Sequence, residues 1–210
     1  MDFYETKDNP LNVTGIVLAG GKGQRLGCLN KASEVINNKP LLGRVVSSLD
    51  FLSSIVIVTS NSKQVIPQFE TTLPVRKVVD FYPDKGPLGG IYSGLENSQS
   101  TRNLVVACDM PFLNQNLLKY LIEISDKFDV VVPRSGECLE PLHAVYSKSC
   151  INPIKQLLKE GNLNIRRLFD MVKVRYVTLE EIERFDSKHL SFFNINTVQD
   201  LNLAKTIMDN

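Results

Sequence analysis

The sequence has almost no net charge. Its formal balance is +1, from 24 basic and 23 acidic residues, with no basic stripe along it. Nucleic-acid binding is therefore not expected, and the lysines and arginines scattered along it read as a solvated surface. No apolar run approaches the roughly 20 residues that a membrane span requires. The opening residues, Met1-Asp2-Phe3-Tyr4-Glu5, are polar and acidic, unlike a secretory signal. Cysteines are few: Cys28, Cys108, Cys138 and Cys150 show no metal-ligand spacing. They fit reduced thiols in a cytoplasmic protein. With two histidines in the chain, no Ser/His/Asp arrangement is discernible. His143 lies in a strand-like stretch and reads as a core or rim residue rather than a general base. There is no internal repeat and no low-complexity segment.

What is present is alternation. Strands are expected over residues 13–19, 54–59, 75–79, 104–108, 129–133, 142–146 and 174–178. Helices are expected from Pro40 through Leu49 and over 117–127, 151–159, 165–171 and 198–208. A further helix over 91–97 would be entered through a Gly86-Pro87-Leu88-Gly89-Gly90 turn. The acidic pair Glu180-Glu181 reads as a solvated helix face. The pattern implies an α/β fold, a Rossmann-like, mostly parallel sheet with helices on both faces. A tail over residues 1–12 and a single domain over 13–210 complete the expected organisation.

The first strand runs into Gly20-Gly21-Lys22-Gly23-Gln24-Arg25-Leu26-Gly27, with Lys31 soon after. Without Cβ atoms, backbone N–H groups can approach a ligand closely, and successive amides form an anion-binding concavity. Arg25 offers a fork for phosphate oxygens; Lys31 offers a point charge. The P-loop is excluded, because Lys22 precedes Gly23 instead of preceding Ser or Thr. The dinucleotide fingerprint is excluded too, because Leu26 stands where its third glycine belongs.

In open α/β sheets ligands bind beyond the carboxyl ends of the strands. Gly20, Thr59, Asp80 and Asp109 all fall at such ends in this reading. Asp109 suits Mg²⁺, which takes one or two carboxylates plus substrate phosphates; capping of the next helix is the other reading. Lys31 and Arg25 either hold phosphates or are solvated. Asp80 either accepts hydrogen bonds from a base or ribose, or is a turn residue. The glycines at 86, 89 and 90 either approach a base or make a tight turn, or both.

Four motifs in order then mark a family. Leu18-Ala19-Gly20-Gly21 with Arg25-Leu26-Gly27 and Lys31, then Gly86-Pro87-Leu88-Gly89-Gly90, then Cys108-Asp109-Met110-Pro111, then Phe193-Asn194-Ile195-Asn196-Thr197 resemble the signature of the sugar-phosphate and cofactor nucleotidyltransferases. Within that superfamily the chain is most similar to the molybdenum cofactor guanylyltransferases. The resemblance implies Mg²⁺ on Asp109 and GTP held by Leu18, Ala19, Gly20, Gly21, Lys31, Thr59, Asp80, Gly86 and Asp109. It implies catalysis by Arg25, Lys31 and Asp109, with molybdopterin as acceptor and pyrophosphate as leaving group. Asn194 and Asn196 would face the acceptor or complete the metal site; the other reading is a strand exit capped by Thr197. Two positions depart from the pattern: Leu29-Asn30-Lys31 replaces the family's Gly-x-Asp-Lys, and Thr59 replaces an asparagine. A cytidylyltransferase, a sugar-phosphate transferase and a non-catalytic nucleotide carrier remain open alternatives.

Overall fold

A computed structural model describes residues 11–20 and 31–209. The first strand, β1 (Leu11–Leu18), lies at the centre of the main sheet. It pairs in parallel with β4 (Leu52–Thr59) on one side and β6 (Arg102–Ala107) on the other. Beyond β4 lies β5 (Val75–Val79), also parallel. Beyond β6 come β9 (His143–Ser147), β7 (Val130–Ser135) and β10 (Val174–Val177), in that spatial order. The short β8 (Cys138–Leu139) pairs with β7. In the main run of strands β9 alone is antiparallel to its neighbours. A separate two-stranded ladder joins β2 (Val35–Ile36) to β3 (Lys39–Pro40).

The apolar runs are two-faced, as expected for buried parallel strands. Val17, Ile55, Ile57, Leu104 and Val106 point into one core, under α1 (Leu41–Ser47) and α3 (Gln115–Glu123). Ile16, Leu18, Val56, Val58 and Val105 point into a second core, under α2 (Gly86–Asn97) and α4 (Ile151–Lys159). Period-two alternation along each strand thus feeds both layers. The helices α5 (Ile165–Phe169), α6 (Leu179–Glu183) and α7 (Val198–Asp209) complete the fold. Leu201 and Ala204 of α7 pack with Ile195 on Ile36 and Leu41. Among the described residues no helix is long and apolar enough to cross a membrane.

The expected α/β class and mostly parallel sheet are observed, with corrections of detail. The first strand begins at Leu11, inside the expected tail, because Leu11 already pairs with Leu52 across an irregular register. Helix α3 starts at Gln115 because Asn114 caps it, accepting from the amides of Asn116 and Leu117. Glu181 is not a solvated residue: it closes a capping box with Thr178, pairs with Arg175 at 2.6 Å and accepts a hydrogen bond from Tyr120 Oη.

The largest correction concerns the mid-chain glycines. They are not a turn before a helix but the first turns of α2 itself, with Pro87 in the first turn and Gly86 at φ +64°. A Cβ on Gly89 would lie 2.7 Å from the Tyr82 carbonyl oxygen, and one on Gly94 only 2.4 Å from Ile16 Cγ2. These glycines let α2 lie against β1 and the turn after β5. A Cβ at 2.4 Å from Ile16 Cγ2 puts the clash toward the upper end of overpacking costs, so Gly94→Ala is expected to destabilise the protein by up to about 2 kcal/mol net. Overpacking costs roughly 1–3 kcal/mol, and about 1 kcal/mol returns as helix propensity. Urea unfolding measures it; a variant at least as stable as wild type would contradict the packing role.

Candidate functional site

The chain leaves β1 toward β4 and β5, then returns to β6 on the opposite side of β1. The carboxyl ends of β1 and β6 are thus a topological switch point, where open α/β sheets bind ligands. A cleft of about 1350 Å³ opens there. It is lined by Leu18, Ala19, Gly20, Lys31, Thr59, Asp80, Gly86, Asp109, Asn194 and Asn196, so the structure gathers every described residue of the expected site. Gly21 and Arg25 lie outside the described residues.

At one side of the cleft is a polar triad. Lys31 follows the glycine loop and opens a short 3₁₀ turn, Lys31–Ser33. Its Nζ donates to Asp109 Oδ2 at 2.9 Å and to Asn196 Oδ1 at 2.7 Å. The side chains of Lys31 and Asp109 are only 21% and 17% exposed, so the pair faces the cleft rather than bulk water. Asp109 is placed by β6, and its carbonyl accepts from the Ile195 amide at 2.9 Å. Asn196 is placed by the start of α7. The Asp200 carboxylate accepts from the amides of Asn196 and Thr197, and the Thr197 hydroxyl accepts from the Asp200 amide. These backbone hydrogen bonds hold the Asp200 carboxyl below the usual carboxylate range, with Lys31 adding a smaller pull. Thr197 therefore caps α7 as one reading of this segment had it, while Asn196 reaches the site as the other had it.

Asp80 combines its two readings in the same way. Its Oδ1 accepts from the Tyr82 amide and from Ser93 Oγ, both at 2.9 Å, which makes it a turn residue. It also lines the cleft, and Oδ2 has no hydrogen-bond partner among the described residues. Thr59 is fully buried, and its hydroxyl donates to the Val78 carbonyl at 3.2 Å. That bond ties β4 to β5.

Two residues are removed from consideration as nucleophile or base. Burial, with Asp109 adding to it, pushes the Cys108 thiol up to about 12, so it stays protonated. His143 is a core residue, fully buried against the Phe192 ring. Burial pulls its imidazole down to about 4.

The sequence reading missed Gln64, Ser60, Asn61 and Lys63, which line the β4 side of the cleft. They occupy an irregular segment after β4 with no motif to mark it. A polar cluster just beyond a buried strand, Thr59-Ser60-Asn61-Ser62-Lys63-Gln64, was the available signal.

A parallel-centred α/β sheet with a lysine–carboxylate pair at its switch point, whose first strand leads in the sequence into a cationic glycine-rich stretch, is the architecture of a nucleotidyltransferase. The comparisons with known proteins agree and narrow it. The chain belongs to the MobA-like NTP transferase family, whose domain matches residues 15–178. A probable molybdenum cofactor guanylyltransferase from Pelotomaculum thermopropionicum is 36% identical over 200 residues, 95% of each chain. The molybdenum cofactor guanylyltransferase of Desulfosudis oleivorans is 33% identical over 194 residues, 92% of this chain and 94% of that one. The solved molybdopterin-guanine dinucleotide biosynthesis protein A from Archaeoglobus fulgidus superposes with a TM-score of 0.78 at 26% identity, covering 94% of this chain and 99% of that one. The resemblance drawn from the motifs is borne out at the level of the family.

Proposed function

We propose that this enzyme transfers GMP from GTP to the terminal phosphate of molybdopterin, releasing pyrophosphate. The names of the relatives support the substrates. The observation that carries the chemistry is the Lys31 ammonium held between Asp109 and Asn196 at the switch point.

The donor set suits Mg²⁺. Asp109 Oδ2 is engaged by Lys31, and Oδ1 has no partner among the described residues. No cluster of three or more His, Cys, Asp or Glu surrounds it there. One carboxylate with neutral amide oxygens nearby is the sparse, hard-oxygen arrangement of an ion completed by substrate phosphates and water. Asp109 would hold the ion, which when bound supplies charge neutralisation on those phosphates.

The chain's own residues do the rest by position and charge. Lys31 and Arg25 neutralise the triphosphate as pyrophosphate departs. Asn196, itself fixed by Asp200, keeps the Lys31 ammonium aimed into the cleft. Asp80 Oδ2 accepts from the ribose or base. The acceptor phosphate is ionised at neutral pH, so in-line attack on the α-phosphorus needs no general base. A protonated Cys108 and a buried His143 are consistent with that. Positioning and preorganised charge are the usual sources of catalysis in phosphoryl chemistry. The reading extends to a cytoplasmic enzyme, supported by the free thiols of Cys108, Cys138 and Cys150.

The test is pyrophosphate release with Mg²⁺ and molybdopterin-loaded acceptor, GTP against CTP and ATP. Release with GTP alone is expected. Release with CTP alone would move the enzyme to the cytidylyl branch. Nucleotide binding without any release would overturn the enzymatic reading in favour of a carrier.

A further inference from the structure

The ladder between β1 and β4 ends in an unusual way. In a parallel pair the bonds alternate regularly along each strand. The Ala19 amide donates to the Val58 carbonyl at 2.9 Å, so the next rung of the ladder would join the Ser60 amide to the Ala19 carbonyl. The side chain of Gln64 occupies that rung instead. Its Nε2 donates to the Ala19 carbonyl at 2.7 Å, and its Oε1 accepts from the Ser60 amide at 3.0 Å. Ser60 Oγ donates to the same Oε1 at 3.0 Å. The partners fix the amide's orientation, because a carbonyl needs a donor and an N–H needs an acceptor.

From this geometry we infer that Gln64 is a positioning residue for the nucleotide. Its amide stands in for a peptide group and is wedged between the two strands where they reach the cleft. It sets the separation between the end of β1 at Ala19 and the segment after β4 at Ser60. It also sets a direction. In a trans peptide the carbonyl and the following N–H point opposite ways. With the Ala19 carbonyl held toward Gln64, the Gly20 N–H is aimed away from β4, toward the β6 side where Asp109 lies. The backbone of Gly20 lies close against the segment after β4, since a Cβ there would meet the Ser60 amide nitrogen at 3.0 Å. The Gln64 backbone is anchored independently: its amide donates to the Asn61 carbonyl, and its carbonyl accepts from Lys77 Nζ at 2.6 Å. Gln64 thus aims the first amide of the phosphate loop, and it does so without being required for the bond-making step.

The inference rests on the proposed nucleotidyl transfer only for its kinetic readout, so binding is measured separately. Gln64→Glu keeps the shape and the acceptor for Ser60 but sets a carboxylate oxygen against the Ala19 carbonyl. Gln64→Met keeps the length and removes both partners. Calorimetry with GTP and Mg²⁺ is expected to show roughly 10-fold or greater loss of affinity in both variants, with the glutamate the weaker binder. In steady-state pyrophosphate release KM for GTP is expected to rise by a similar factor, with kcat changed less than about 3-fold. Gln64→Asn, one methylene too short to span both lips, is expected to behave like the methionine variant. Unchanged affinity and KM in all three variants would overturn the inference. So would equal losses in kcat and kcat/KM with unchanged binding. If a variant unfolds, the other two carry the comparison. If wild type binds nucleotide tightly through Gln64 yet releases no pyrophosphate, the positioning role stands and the transferase reading falls.

Discussion

Asp109→Asn is expected to slow Mg²⁺-dependent pyrophosphate release at least about 10³-fold, some 4 kcal/mol of transition-state stabilisation. The substitution keeps the side chain's shape and leaves an amide oxygen for the Lys31 Nζ, now 2.9 Å from Oδ2. What it removes is charge, from the one described carboxylate paired with Lys31. The ammonium then loses its paired carboxylate, and the hard-oxygen ligand for Mg²⁺ is neutral. Lys31→Met attacks the pair from its other half. It takes a cation from the triphosphate and leaves Asp109 facing those phosphates unscreened, so a loss of comparable size is expected. Neither change should unfold the protein. The pair lines a cleft with about four-fifths of each side chain buried, so losing one partner is expected to cost stability on the order of 1–3 kcal/mol, which leaves the fold in place. Initial rates at saturating GTP, alongside urea unfolding of the same samples, separate the two effects. A rate within 3-fold of wild type for Asp109→Asn would remove Asp109 from the chemistry.

The second large effect is on stability and is tied to pH. His143 is fully buried, both ring nitrogens lack a hydrogen-bond partner among the described residues, and burial pulls its imidazole from 6.5 to about 4. Between those values the unfolded chain binds a proton that the folded chain refuses. The stability that His143 contributes as a neutral group is therefore complete above about pH 6.5 and is lost as the pH falls toward about 4. The full span is on the order of 3 kcal/mol. Asp186, the charge that favours the imidazolium, is too weak an influence to reverse the shift. Glu140, held above the usual carboxylate range by burial, works in the opposite direction, since its folded form keeps its proton longer. Comparing His143→Leu with wild type cancels Glu140 and the remaining carboxylates. The leucine variant is expected to lie close to wild type at pH 7.5 and to become progressively the more stable of the two down to pH 4.5. Urea unfolding across that range measures it; parallel stability curves would show that His143 is not buried as a neutral group.

Much of the fold was legible because it depends on local pattern. The apolar runs over 13–19, 54–59 and 104–108 are buried on both faces, and their short length and β-branched content between turn residues mark them as strands. Helix α4 was bounded correctly at Ile151–Lys159 by periodicity alone. The placement of Gly20, Thr59, Asp80 and Asp109 on the cleft was legible too, since each lies at or just beyond the end of a strand, and strand ends of a parallel sheet share one rim. The glycines of α2 were misread because glycine carries two meanings. It permits a turn, and it permits close approach; only the position of the Tyr82 carbonyl shows that the second applies at Gly89. Glu181 was misread because Arg175 and Tyr120 come to it from β10 and α3.

By itself the sequence determined the strand and helix alternation, the glycine-rich loop with its cations, and the family those motifs mark. Such features follow from residue type and spacing over a few neighbours. Tertiary structure alone decided which polar groups meet. Lys31 and Asn196 are 165 positions apart, Gln64 and Ala19 are 45 apart, and β9 runs against its neighbours. Hydrogen bonds act over about 3 Å, so they are set by where the sheet brings the chain back on itself, and no local pattern encodes that return.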